Sequence, residues 1–148
     1  MAQATTVTFG QQYLLVGDGA TPTEVFTMPC GITSLSREVS TNTTDVDIPD
    51  CADPDALVWL GVDVNSKRIT LTFSGVLAEE AVSLWDDWAM EEAVKNIRWY
   101  RNIGGSNAGY FAGAAVLTNY QEQGQNRGRY TISGTIIFDG KPTWTAVP

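Results

Sequence analysis

Apolar and polar residues alternate with a period of two over much of the chain, which predicts a mainly β protein. The clearest stretch is 67–74, where Ile69, Leu71 and Phe73 are separated by polar residues. This alternation gives a strand one buried face and one solvated face. Further strands are predicted at residues 12–16, 24–28, 32–39, 97–103, 108–120 and 127–138.

One segment, residues 78–95, instead has the period of an α-helix. Glu79 and Glu80 lie in its first turn and Lys95 in its last, where their charges complement the helix dipole. Its apolar stripe indicates the side that packs on a sheet, and we interpret the tryptophans in it as packing residues in preference to a ligand cage. The stripe consists of Ala81, Leu84, Trp85, Trp88 and Ala89 with the flanking Leu77 and Val82, and the residues predicted to pack on the sheet are Leu77, Ala81, Trp85, Trp88 and Ala89.

Residues 40–66, between two predicted strands, are too long for an ordinary connection of about 4–6 residues. This segment, which we call the arm, carries six aspartates and no Lys or Arg. It also holds Leu57, Trp59, Leu60 and Val62, which give it apolar surface to bury. We therefore predict that the arm is an ordered projection that needs another surface.

Together these elements predict a single domain, residues 1–148, built as an antiparallel β-sandwich or barrel with one helix packed on it. Residues 1–10 and 141–148 are predicted to be terminal extensions. No apolar run approaches the roughly 20 residues of a membrane span. The first residues have neither the basic nor the apolar region of a signal peptide, so secretion by that route is not expected.

The net charge of −8 is unevenly distributed along the chain. Residues 1–66 contain nine acidic residues and one base, Arg37, whereas residues 67–148 contain eight of each. The acidic first half disfavours nucleic-acid binding, which uses Lys and Arg at phosphates. Two interpretations follow: a solubilising surface charge, or an acidic arm that meets a basic face on a second copy of the chain. That basic face would consist of Lys95, Arg98, Arg101, Arg127, Arg129 and Lys141.

Residues that support catalysis or metal binding are sparse. There is no histidine, no Cys–His pair and no G-x-S-x-G motif, which disfavours a nucleophilic enzyme. A calcium loop starting at Asp45 fails because its sixth position is Asp50 in place of glycine and its twelfth is Ala56 in place of glutamate. A carboxylate-based hydrolase is the weakest hypothesis, because no pair of acids stands out. We therefore expect no enzyme, no cofactor and no metal site.

The two cysteines, Cys30 and Cys51, do not form a disulfide framework. The expected lack of a signal peptide implies a reducing compartment, which favours two free thiols. A bridge between Cys30 and Cys51, formed after release from the cell, is the alternative.

Four segments of the sequence are similar to a known family. They are GDGATPTEVF near the start, DVDIPDCADPDA in the arm, KRITLTFSGV in the strand before the helix, and AEEAVSLWDDWA in the helix. In this order, and followed by a closing meander, they resemble the tail tube (major tail) proteins of long, non-contractile-tailed bacteriophages and related gene-transfer particles. The resemblance covers roughly residues 11–140.

This resemblance implies a structural virion protein whose subunits form hexameric rings stacked head to tail. It implies that inner-face strands of six copies close a channel, that the arm reaches the next ring, and that DNA passes through without specific binding. It also implies tape-measure, tail-terminator and distal tail or baseplate proteins as partners, with assembly in the host cytoplasm. Strands 108–120 and 127–138 are our candidates for the channel wall. Candidate contact residues between subunits are Asp45, Asp47, Asp50, Asp53, Asp55, Trp59, Arg98, Arg101, Arg127 and Arg129.

A second hypothesis, from the binding class, is a β-sandwich module that binds carbohydrate or decorates a capsid. Trp59, Trp99 and Trp144 would then be its ring platforms, and the arm its specificity loop. Tubes or rings of the purified protein favour the first hypothesis, whereas a persistent monomer that binds glycan favours the second.

Overall fold

The chain forms a mainly β fold, which confirms the prediction from its alternation. The structure, a computed structural model, describes residues 2–19, 23–91, 94–103 and 107–146. Residues 92–93 of the predicted helix, and residues 1 and 147–148 of the predicted extensions, lie outside this description. The described strands are β1 (Gln12–Gly17), β2 (Phe26–Thr27), β3 (Ile32–Asp47), β4 (Leu60–Val76), β5 (Val94–Arg101), β6 (Gly109–Gln123), β7 (Thr131–Phe138) and β8 (Thr143–Ala146). The helical elements are 3-10 turns at Phe9–Gln11 and Glu79–Ala81, an α-helix at Val82–Asp86 and a π-helical turn at Asp87–Glu91.

The strands form one antiparallel sheet in the order β2-β1-β5-β6-β7-β4-β3, with β8 added to β6. β5, β6 and β7 are a meander of consecutive neighbours, and the β3–β4 hairpin is attached through β4 to β7. The sheet curls back on itself. The guanidinium carbon of Arg37 on β3 lies 5.3 Å from the ring centre of Phe111 on β6, although β7 and β4 separate these strands in the sheet.

The helical segment, residues 79–91, packs against the core of this curled sheet. Trp85 is fully buried and stacks on Phe73 of β4, with 4.7 Å between ring centroids. Trp85 also stacks on Tyr120 of β6 at 5.7 Å, so one side chain joins two strands. Burial of this apolar surface is the main stabilising term of the fold. The core comprises Leu14, Val16, Leu71, Phe73, Ala81, Trp85, Trp88, Ile97, Trp99, Ala115, Ile132, Ile136 and Phe138.

The helical segment is shorter than the predicted helix, 78–95. β5 begins at Val94, which pairs with Val116 of β6, and Lys95 pairs with Ala115. In the sequence these residues continue the helical pattern, but in the structure they lie beside β6 and pair with it. Pairing in the sheet prevails because tertiary contacts routinely override local helix propensity.

The residues of the predicted packing stripe differ in burial. Ala81, Trp85 and Trp88 are buried, and Leu77 is half-buried against the core, but Ala89 is exposed. The segment ends in a π-helical turn, which has more residues per turn than an α-helix. Because Trp88 points inward, the wider turn places the next residue, Ala89, on the solvent side.

The arm is a continuation of two strands and not an irregular insert. β3 and β4 pair along their whole length, as far as Asp47 opposite Leu60. β7 pairs only with residues 70–76 of β4, so the hairpin extends beyond the sheet as two strands that end in a loop, residues 48–59. We call this loop the hairpin tip. All of residues 36–55 are exposed, and a strand that buries neither face has no reason to alternate.

The end of the chain joins the sheet. Thr143–Ala146 form β8, which pairs with the first residues of β6, and the Trp144 ring centre lies 4.8 Å from that of Phe111. The prediction of a terminal extension at 141–148 is therefore wrong for residues 143–146. Four residues with one large apolar side chain are too few to show a period in the sequence.

Candidate assembly surfaces

One face of the sheet is opposite the core and is lined by small or uncharged side chains. In β7 every second residue from Ile132 to Phe138 is buried, so the residues between them point outward. Residues paired across antiparallel strands share a face, which extends this surface over β4 and β6. We call it the uncharged face. It comprises Thr70, Thr72, Ser74, Ala114, Val116, Asn119, Gln121, Thr131, Ser133, Thr135 and Ile137.

Arg98, a predicted contact residue, is held between two aromatic rings. Its guanidinium carbon lies 3.9 Å from the ring centre of Phe26 and 4.7 Å from that of Tyr110. Tyr110 belongs to a row of stacked rings with Tyr100 and Tyr13, at centroid distances of 4.8 and 5.2 Å. A cation placed over aromatic faces in this way stabilises the packing of its own subunit. Arg98 therefore contributes to the packing of its own subunit.

Arg101 lies beside Arg37, a residue that the sequence did not single out as a contact. The guanidinium carbons of both lie near the Phe111 ring, at 5.7 and 5.3 Å from its centre, and Arg101 is also 5.7 Å from the centre of Trp144. Partial desolvation of the guanidinium lowers the pKa of Arg37, and the charge of Arg101 lowers it further. Neither arginine forms an ion pair with a carboxylate among the described residues. The signal for Arg37 is present in the sequence, since it is the single base of residues 1–66.

Arg127 and Arg129 lie far from this pair. Both are exposed in the connection between β6 and β7, and Arg127 adopts a left-handed conformation with φ 66°. Arg101 is paired with the start of β6 and these two follow its end, so a 15-residue strand, on the order of 45 Å long, separates them. The predicted basic face is therefore not one continuous surface.

The hairpin tip presents acidic and apolar side chains together. The carboxylate of Asp50 accepts a hydrogen bond from the amide of Ala52 at 2.9 Å, and that of Asp53 accepts one from the amide of Asp55 at 3.3 Å. These local bonds are those of Asx turns, which order a loop without a core. Beside them, Leu57 is 88% exposed and Trp59 is 85% exposed. Of the predicted acidic contacts, Asp45 and Asp47 lie at the end of β3, and Asp50, Asp53 and Asp55 lie in the tip.

The three tryptophans of the carbohydrate-binding hypothesis do not form a platform. Trp99 is 3% exposed, and its indole nitrogen donates a hydrogen bond to Gln12 Oε1 at 3.1 Å. Trp144 packs on Phe111, and Trp59 lies in the remote hairpin tip. A sugar needs rings that are exposed and adjacent, so these positions disfavour that hypothesis.

The two cysteines are exposed free thiols at opposite ends of the hairpin. Cys30 precedes β3 and Cys51 follows it, so a strand of 16 residues, on the order of 50 Å long, separates them. A disulfide needs Cα atoms within about 7 Å, which excludes a bridge within one chain in this fold.

Within the described ranges, His, Cys, Asp and Glu side chains form no group of three or more that could hold a metal ion.

Helices of the length and hydrophobicity needed to cross a membrane are absent from the described part of the chain.

Comparison with known proteins gives one family and several structures. A family model described as phage tail tube protein matches residues 7–144. No curated protein matches the chain.

Three solved structures share the fold. The tail of an empty gene transfer agent particle, refined with C6 symmetry, has a TM-score of 0.66 at 15% identity over 90% of this chain and 96% of that one. The SPP1 tail tube has a TM-score of 0.64 at 9% identity, over 96% and 81% of the two chains. The tube-terminating cap of the anti-feeding prophage has a TM-score of 0.57 at 14% identity, over 99% and 95%.

Proposed function

The chain belongs to the phage tail tube protein family, and we propose that its subunits polymerise as stacked rings of six into the tube that conducts DNA into the host cell. Its role is structural, and its place is the tail of the virion. The observation that carries the proposal is the family match over residues 7–144, together with a sheet face that the subunit leaves uncovered. The six-fold ring is taken from the C6 symmetry of the gene transfer agent tail that shares the fold.

We assign the channel wall to the uncharged face. A wall that passes DNA must not hold the phosphates, and the part of this face where β4 and β6 pair with β7 offers them no Lys or Arg. Arg68 of β4 lies at the edge of this part, beside Val116 and Ile137. The net charge of −8 makes the protein as a whole repel the DNA phosphates. The predicted wall strands 108–120 and 127–138 correspond to β6 and β7, whose pairing supports this assignment.

Contacts between rings are assigned to the two ends of the subunit. The hairpin carries Asp45, Asp47 and the tip beyond the part of β4 that pairs with β7, and Asp45 and Asp47 are exposed. Arg127 and Arg129 are exposed in the β6–β7 connection and are free to contact a neighbour. Contacts that repeat head to tail without closing generate a filament, which is what a tube requires along its axis.

Further tail proteins complete the list of proposed partners. The anti-feeding prophage cap shares the fold of this chain, which supports a tail terminator that stacks on the last ring. A distal tail or baseplate protein would contact the opposite end. The resemblance in sequence adds a tape-measure protein inside the growing tube. The proposal includes no catalytic activity and no cofactor.

Electron microscopy of the purified protein tests this function. We expect negatively stained tubes of regular diameter above a critical protein concentration, and sedimentation of the protein in the same samples. A protein that stays monomeric at high concentration and binds an immobilised glycan would overturn the proposal in favour of a carbohydrate-binding module.

A further inference from the structure

An apolar groove lies between β1 and the base of β3. Its volume is about 680 Å³, and its lining includes Phe9, Leu14, Leu15, Met28, Ile32 and Leu35. The groove runs between strand edges. β2 pairs only with Val16 and Gly17 of β1, so in the described chain residues 12–15 have no partner on that side. β3 is the last strand of the sheet, so its outer edge is also open. Open edges beside an apolar groove are suited to another segment of polypeptide.

Positive charge lies at one end of this groove. Gln12 and Leu35 both line the groove. Gln12 pairs with Arg101, and Arg37 follows Leu35 by two residues on the same face of β3. The two guanidinium groups share the Phe111 ring and meet no carboxylate among the described residues. A pair of like charges held together in this way favours an acidic partner.

The hairpin tip has the complementary chemistry. Leu57 and Trp59 are 88% and 85% exposed. They follow Asp53 by four and six residues, so the tip combines apolar bulk with negative charge. The tip cannot reach the groove of its own subunit, because Ile32 in the groove begins the strand of 16 residues that leads to the tip. A hairpin tip that occupies this groove therefore belongs to a second copy.

We propose that the groove between β1 and β3 binds the hairpin tip of a second copy of this chain. Leu57 and Trp59 fill the apolar part, and aspartates of the tip approach Arg37 and Arg101. The inference rests on the proposed function, because it places the two copies in successive rings. It goes further by naming the surface that receives the tip.

Matched substitutions of two exposed methionines test the groove. Met28 lines the groove and is 55% exposed, whereas Met90 lies on the helical segment, away from it, and is 82% exposed. We expect Met28→Asp to raise the critical concentration for tube formation on the order of tenfold, since a charge is placed where apolar side chains dock. Met90→Asp should stay within about twofold of the wild type. Thermal melts of the unassembled subunits verify that both variants fold.

The tip is tested in the same assay by Trp59→Ala, for which we expect a rise similar to that of Met28→Asp. If Met28→Asp and Trp59→Ala assemble as readily as Met90→Asp, the docking inference is wrong while the proposed function stands. If the wild-type protein forms no tubes at all, the proposed function and this inference fall together.

The two cysteines report the contact directly. Cys30 lines the groove and Cys51 lies in the tip, so docking brings Cys51 of one copy to the groove that holds Cys30 of the next. Assembled tubes are treated with a flexible bismaleimide. Each thiolate adds across one maleimide double bond, and the carbon takes up a proton, so no oxidant and no leaving group are involved. We expect a ladder of linked chains on a denaturing gel, lost in Cys30→Ser and in Cys51→Ser. A ladder that persists in Cys30→Ser, or no linking in wild-type tubes, contradicts the assignment.

Discussion

Trp85 and Trp59 place the same residue type in opposite environments. Trp85 is fully buried between Phe73 and Tyr120, whereas Trp59 is 85% exposed in the hairpin tip. We predict that Trp85→Ala lowers the free energy of unfolding of the unassembled subunit by about 3–5 kcal/mol, since it leaves a large cavity. Trp59→Ala should change it by less than about 0.5 kcal/mol. Urea denaturation of both variants provides the measurement, and equal losses would contradict the assignment of Trp85 to the core.

Tyr120 makes the stability of the folded subunit depend on pH in the alkaline range. Burial raises the pKa of its hydroxyl, and the hydrogen bond to Glu122 Oε1, at 2.9 Å, raises it further together with the charges of Glu122 and Asp86. In the unfolded chain Tyr120 has an ordinary tyrosine pKa of about 10. The folded state therefore keeps the hydroxyl proton at higher pH values, at which the unfolded chain releases it. The stabilisation is fully present below about pH 10 and is lost as the pH rises above that value.

The corresponding prediction compares wild type with Tyr120→Phe, which keeps the ring on Trp85 and removes the titrating group. Wild type should lose more free energy of unfolding than the variant when the pH is raised from neutral to strongly alkaline. Urea denaturation at both pH values measures the difference. Equal losses in the two proteins would show that Tyr120 is not the group responsible.

At the scale of elements, the hairpin formed by β3 and β4 separates assembly from folding. The described core includes no residue from the projecting part of this hairpin, since the core residues of β4 are Leu71 and Phe73, within the part that pairs with β7. Beyond that part the two strands pair only with each other in the described sheet, and such a ribbon has marginal stability by itself. A partner surface is therefore what this element requires.

A shortened hairpin tests this separation. Thr41 pairs with Lys67, so residues 42–66 can be replaced by Asn-Gly, the turn that suits a two-residue hairpin loop. We predict a subunit whose thermal unfolding midpoint is close to that of the wild type but which forms no tubes by sedimentation or microscopy. Tubes of normal length from this variant would show that the hairpin is dispensable for assembly.

The sequence predicts those elements that bury one side within the subunit. Residues 67–74 alternate because Leu71 and Phe73 enter the core, and the tryptophans of the helical segment show helical spacing for the same reason. The alternation does not predict that β3 continues to Asp47, because no described part of the subunit covers that stretch and its residues need not alternate. It misses β8 because that strand is short and is defined by its pairing with β6.

For the candidate surfaces, the sequence predicts the composition but not the arrangement in space. The apolar and acidic content of the hairpin tip is visible in the sequence, and so are the arginines. Their arrangement is not, because the curl of the sheet brings Arg37 beside Arg101 and the length of β6 separates both from Arg127 and Arg129. Contacts between residues far apart in the chain depend on topology, which no local pattern specifies.

At the scale of the whole molecule, opposite charges are separated along the hairpin, with the acidic tip at one end and the Arg37–Arg101 pair near the other. We propose that these charges attract each other between copies. Salt screens such attraction between exposed groups. We predict that the critical concentration for tube formation rises with ionic strength, and that Arg37→Gln shows a weaker salt dependence than the wild type. Light scattering at a series of salt concentrations measures both. The same salt dependence in the two proteins would remove Arg37 from the contact.

The central claim is that this subunit builds a tube whose channel is lined by the uncharged face. A cryo-electron microscopy reconstruction of tubes assembled from the purified protein tests it most directly. We predict rings of six subunits in which β6 and β7 of all copies form a continuous wall, with Thr131, Ser133 and Thr135 facing the lumen. A reconstruction in which these residues face the exterior, or in which the lumen is lined by the arginines, would contradict the account.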